Sequence, residues 1–127
     1  MKYLLDTHTI IWYLEDLPKI PLKTKEIIEL SDNDIYICSV SLWEIVIKMN
    51  LGKLKLSLSL DELFTAIKNS DISILQIENE YMKKLSLLPD IHKDPFDRLV
   101  IATALAEDLT IITTDENIHK YDVSWVW

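Results

Sequence analysis

The chain has 127 residues, 49% hydrophobic and 27% charged, with 13 basic against 21 acidic side chains and a net charge of −8. That length and apolar content suit one domain over residues 1–127, able to bury a core without a disulfide or metal staple. Cys38 is the only cysteine and Gly52 the only glycine, which excludes an internal disulfide, a glycine-rich phosphate loop and a zinc finger, while the acidic balance argues against electrostatic coating of nucleic acid.

In chain order, MKYLLDTHTIIWYL is interrupted by Asp6 and His8 too early for a signal peptide. No stretch approaches the ~20 apolar residues of a membrane span, so a cytoplasmic protein is expected. Residues 2–6 read as a short buried strand. Ile10, Tyr13, Leu14 and Leu17 follow at helical spacing, and Pro18 and Pro21 are expected to end that helix. Residues 22–31 predict a second helix, SDND at 31–34 a turn, and IYIC at 35–38 a second strand. Residues 41–51 predict a helix with Leu42, Ile45, Val46 and Met49 on one face, and Gly52 stands where a left-handed cap belongs. A helix over 61–69, a strand at 72–77 and a helix over 78–88 come next. Asp94-Pro95 opens a helix to about 107 whose LVIATALA segment is apolar nearly all round, hence buried on most sides. TIIT at 110–113 and VSWVW at 123–127 are further strands. Strands alternating with helices predict an α/β domain with a mainly parallel sheet, with its chemistry at the carboxyl ends of the strands.

That rule draws attention to four acids. Asp6 ends the first strand, Glu44 lies a turn into the helix after the second, Asp97 opens the helix after the third, and Asp115 follows the fourth. Together they would repel one another unless cations or protons offset the charge, and oxygen-only ligands suit Mg²⁺ or Mn²⁺. Each also has a purely structural reading. Ser41-x-x-Glu44 is a capping-box pattern, Asp97 fits the first turn of a helix capped by Asp94, and Asp6 and Asp115 fit strand-end turns. His8, His92 and His119 show no i, i+4 pair and read as surface or capping residues. Arg98 reads as a structural partner of a carboxylate, and Lys48, Lys53 and Lys55 as a solvated face. Trp12 and Trp43 lie opposite the apolar stripes and, with Ile11, are candidates for a partner surface.

LLDTHTIIW at 4–12, SLWEIVIK at 41–48 and HKDPFDRLVIATALAEDLTIITTDENI at 92–118, in that order and spacing, resemble PIN-domain proteins, and more closely the VapC-type toxins of bacterial toxin–antitoxin modules. The resemblance covers essentially the whole chain. The family's four acidic positions map onto Asp6, Glu44, Asp97 and Asp115, with Thr113 at the polar position two before the last acid. It implies a three-layer α/β/α fold around about five mainly parallel strands. It also implies a metal-dependent endoribonuclease using Mg²⁺ or Mn²⁺, held by Asp6, Asp97 and Asp115 with Glu44 completing the site. A VapB-like antitoxin partner and a homodimer are implied in the same way. Two other readings stand beside it. A metal-dependent phosphatase of the HAD type needs a second Asp where His8 stands. A non-catalytic PIN-like module would bind its partner equally well with all four acids changed to amides.

Overall fold

A computed structural model describes all 127 residues. Five strands, β1 (Lys2–Leu5), β2 (Asp34–Cys38), β3 (Ile72–Leu75), β4 (Thr110–Ile112) and β5 (Trp125–Val126), form one sheet in the order β3-β2-β1-β4-β5. All four strand pairings are parallel. Parallel strands need crossovers, and seven helices supply them: α1 (Thr7–Leu14), α2 (Leu22–Glu29), α3 (Ser39–Asn50), α4 (Leu60–Lys68), α5 (Asn79–Ser86), α6 (Pro95–Glu107) and α7 (Glu116–His119). No helix is long and apolar enough to cross a membrane.

The three layers follow from the two-residue period of the strands. In β1, Tyr3 and Leu5 face one core while Leu4 faces the other; in β4, Ile112 and Ile111 divide the same way. One core joins Tyr3, Leu5, Ile35, Ile37 and Ile112 to Ile10 of α1, Ile28 of α2, Ile45 of α3 and Leu63 and Ile67 of α4. The other joins Leu4 and Ile111 to Tyr81 of α5, the Leu99–Ala104 run of α6 and Ile118 of α7. Helix α6 buries every residue from Leu99 to Ala104, as its all-round apolar character predicts.

Several boundaries differ from the sequence reading, each for a local reason. Helix α1 stops at Leu14, before Pro18, because Asp16 adopts φ 52°. The Asp16 N–H then reaches Tyr13 O at 3.1 Å and the Leu17 N–H reaches Trp12 O at 2.9 Å, a Schellman closure that takes Leu17 off the helical stripe. Gly52 fulfils its expected role at φ 69°, its N–H bonding Met49 O at 3.1 Å while the Lys53 N–H bonds Lys48 O at 2.9 Å. Helix α3 begins at Ser39, directly on the end of β2, two residues earlier than expected. The short α7 has no counterpart in the sequence reading, since four residues carry too little periodicity to register. Ile11 is buried, so it offers no partner surface, and Trp12 packs edge-on against Trp127 at 5.9 Å. Trp43 does remain exposed, by 60%, edge-on to Phe96 at 5.4 Å.

Candidate active site

Sheet order decides where the chemistry sits. From β1 the chain winds outward to β2 and β3, then crosses back to β4 on the other side of β1. The carboxyl ends of β1 and β4 therefore flank a topological switch point, the place where open α/β sheets bind ligands. Asp6 follows β1 and Asp115 lies just past β4.

Asp6 is 3% exposed and caps α1, its Oδ1 accepting the Thr9 N–H at 2.8 Å. Its Oδ2 accepts the Thr113 hydroxyl, and Thr113 Oγ1 in turn accepts the Asp115 N–H at 3.0 Å. Thr113 thus ties the first acid to the last across the switch point. Burial pushes the Asp6 carboxyl above its ordinary range, against the opposing hydrogen bonds from Thr113 and Thr9.

Asp97 sits in the first turn of α6, behind Asp94 as N-cap and Pro95 in the first turn. Asp94 Oδ1 accepts the Phe96 N–H at 2.8 Å and the Asp97 N–H at 3.3 Å, as the sequence predicts for a cap. Burial pushes the Asp97 carboxyl up to about 7, helped by the negative charges of Asp94, Glu44 and Asp6 and opposed by His92. A carboxylic acid raised by both desolvation and like charges marks a site whose charge is not balanced by protein cations.

Glu44 is 1% exposed, and both its oxygens are engaged: Oε1 accepts the Thr7 hydroxyl at 2.7 Å and Oε2 pairs with Lys48 Nζ at 2.7 Å. The capping box with Ser41 does not form, because the early start of α3 puts Ser41 inside the helix. Ser41 Oγ is buried without a hydrogen-bond partner. Lys48 is half-buried and paired with Glu44. Desolvation pulls its ammonium down, but the hydrogen bond and charge of Glu44, with Asp94 and Asp97 beyond, outweigh this and hold it above its ordinary value.

The residue that sequence reasoning missed is His92. Its Nε2 lies 2.9 Å from Asp97 Oδ2 and 3.2 Å from Asp115 Oδ2, and the three groups present ligand-type atoms within 4.8 Å of one another. No spacing rule could have found it, since its partners lie 5 and 23 residues away on separate elements. Arg98 also departs from expectation: it meets no carboxylate, and Nη1 donates to Pro89 O at 2.9 Å and to Tyr121 Oη at 3.2 Å. It fastens the loop that carries His92, because Tyr121 Oη also accepts the His92 N–H at 2.8 Å. His8 is exposed at the position where a phosphatase of the HAD type would need its second acid. His119 makes no side-chain contact with the four acids; its ring stacks on Trp125 at 3.4 Å and its Nε2 lies 3.0 Å from Thr113 O.

Three of the acids are joined by contacts, Asp6 to Asp115 through Thr113 and Asp115 to Asp97 through His92, while Glu44, held by Thr7 and Lys48, shares no hydrogen bond with them. Buried carboxylate oxygens in excess of cations are the donor set of a hard divalent ion.

Comparison with known proteins agrees with this fold. No curated protein matches the chain in sequence. Among solved structures, a chain of the VapBC2 complex from Rickettsia felis, bound to a DNA fragment from its promoter, superposes with a TM-score of 0.73 at 20% identity, covering 99% of this chain and 98% of that one. A chain of DNA-bound VapBC from Salmonella typhimurium gives 0.72 at 17% identity, covering 99% and 97%. A chain of FitAcB from Neisseria gonorrhoeae gives 0.65 at 20% identity, covering 98% and 96%. At such identities these matches establish a shared fold. The family model of the PIN domain matches residues 3–124, nearly the full sequence, and the chain belongs to the PIN domain family.

Proposed function

We propose that the protein is a metal-dependent endoribonuclease, the VapC-like toxin of a toxin–antitoxin pair, working as a single PIN domain. One observation carries the reading: His92, Asp97 and Asp115 present ligand-type atoms within 4.8 Å of one another, Asp6 is joined to Asp115 through Thr113, and the Asp97 carboxyl is raised to about 7 by burial and by the charges of Asp94, Glu44 and Asp6. Such an arrangement costs stability and is retained where charge is needed for chemistry.

Asp6, Asp97 and Asp115 are the residues that would hold Mg²⁺ or Mn²⁺, with Glu44 beside them. When bound, such an ion lowers the pKa of water and neutralises charge on a phosphodiester. The protein's part is placement. Thr9 N–H and Thr113 fix both oxygens of Asp6, so its carboxylate cannot rotate away. Lys48 and Thr7 hold Glu44, and Lys48 leaves a cation one turn from the acids, where it would face a phosphate oxygen. In the hydrolysis, water attacks phosphorus and the bond to the ribose 3′-oxygen breaks, leaving 5′-phosphate and 3′-hydroxyl ends. No side chain forms a covalent bond to the substrate, in keeping with the absence of an activated Ser or Cys; Cys38 is buried and its thiol is pushed up to about 11.

The solved neighbours are chains of VapBC and FitAcB, which supports a VapB-like antitoxin as partner here; a homodimer of toxin chains belongs to the same proposal. The acidic switch point offers such a partner a site for a basic side chain.

The deciding experiment incubates the purified, antitoxin-free chain with a mixed RNA panel in Mn²⁺, Mg²⁺ or EDTA, with Asp97→Asn alongside. Cleavage that needs the metal and disappears in the variant is expected. Full cleavage by Asp97→Asn, or undiminished cleavage in EDTA, would overturn the reading.

A further inference from the structure

The acids at the switch point should fly apart, yet Asp97 and Asp115 are held close, and one side chain accounts for it. His92 Nε2 lies 2.9 Å from Asp97 Oδ2 and 3.2 Å from Asp115 Oδ2. The other ring nitrogen, Nδ1, accepts the Asp94 N–H at 3.3 Å. An acceptor at Nδ1 puts the ring proton on Nε2, so the ring donates to Asp115 Oδ2, while Asp97 Oδ2 lies against the same nitrogen as a close polar contact. The ring is aimed from behind as well: the His92 N–H bonds Tyr121 Oη at 2.8 Å, and Tyr121 donates to Pro89 O at 2.8 Å. Arg98 ties the same loop down through Pro89 O and Tyr121 Oη.

We infer that His92 is a positioning residue of this site: its Nε2 lies between the Oδ2 atoms of Asp115, to which it donates, and Asp97, which it touches, and so keeps the two acids together for a divalent cation. The inference rests on the metal-site reading above and adds a residue to it. Chemistry distinguishes the role from that of a ligand. A ring whose Nδ1 accepts from the backbone has no lone pair at Nε2 to give a metal. Asp97 Oδ1 accepts no hydrogen bond from the protein, so the bridge leaves an oxygen open for a cation. Groups of this kind, which orient ligating carboxylates without touching the ion, typically contribute 10–100-fold to metal affinity.

The test is Mn²⁺ binding by calorimetry on the full chain, with circular dichroism as the folding control. His92→Phe keeps a ring of similar size and removes the donor; its Mn²⁺ affinity should fall by about 10-fold or more. His92→Gln places an amide N–H near the original Nε2 and should recover much of the loss. A merely structural histidine would lower the melting temperature in both variants alike and leave affinity unchanged in whatever remains folded. Long-range ¹H–¹⁵N spectra of the metal-free wild type should show the Nε2–H tautomer. Equal affinity in wild type and His92→Phe, tighter binding by His92→Phe, or an Nδ1–H tautomer overturns the positioning role while leaving the metal site standing. A wild type that binds no Mn²⁺ overturns both.

Discussion

Asp97 shows how a residue's surroundings become a measurable pH dependence. Its carboxyl is raised from 3.8 to about 7 in the folded chain. Below pH 4 it is protonated whether folded or not, and it costs nothing. As pH rises from 4 to 7 the unfolded chain releases its proton first, so stability is lost over that window. Above pH 7 the penalty is at its full value, on the order of a few kcal/mol. In EDTA, the melting temperature of Asp97→Asn should therefore match wild type near pH 4 and exceed it by several degrees at pH 8. Excess Mn²⁺ should close the gap by stabilising only wild type. A gap independent of pH would mean that the repulsion at this position is not what the geometry indicates. Cys38 offers a second residue-scale check. Burial holds its thiol at about 11, so alkylation at pH 8 should be negligible in the native state and complete in denaturant.

At the scale of the element, the two ends of α6 serve different purposes. Its N-terminus is built for the site: Asp94 caps it and points Asp97 inward from the first turn. Asp94→Ala should cost about 1 kcal/mol of stability by urea unfolding, and Asp94→Ser, which keeps a capping oxygen, should restore most of it. Its C-terminus is closed by Asp108 in the left-handed region at φ 54°. A carboxylate there meets the negative end of the helix dipole, and an L side chain pays for positive φ. Asp108→Gly should consequently stabilise the chain by about 0.5–1 kcal/mol, seen as a higher urea midpoint at unchanged slope. Cleavage should be untouched, because Asp108 lies at the far end of α6 from Asp97.

On the scale of the whole molecule, a net charge of −8 shapes how substrate is held. A chain with 13 basic residues against 21 acidic ones cannot rely on counterion release, so few phosphates are expected to contact lysines. The KM for RNA should then change by less than about tenfold between 50 and 200 mM monovalent salt, which corresponds to no more than ~2 phosphate contacts. A steeper slope would reveal a basic surface formed by more than one copy of the chain. The sheet order supplies the rest of the design, since only the crossover from β3 to β4 brings Asp115 next to Asp6.

The sequence by itself determined the α/β class, the strand-end positions of the acids, the Asp94-Pro95 helix start, the Gly52 cap and the all-round burial of α6, because each rests on contacts within a few residues. The mapping of four acids onto the family pattern was legible for the same reason, as each acid keeps a fixed offset from its own strand or helix. Tertiary structure alone decided the rest. That Glu44 serves Thr7 and Lys48 instead of capping at Ser41, that Thr113 joins Asp6 to Asp115, and that His92 spans Asp97 and Asp115 are contacts between elements. Local periodicity specifies which face of an element is apolar. It carries no information on which polar tips meet across a switch point, since that depends on sheet order and on the angles at which helices leave the strands.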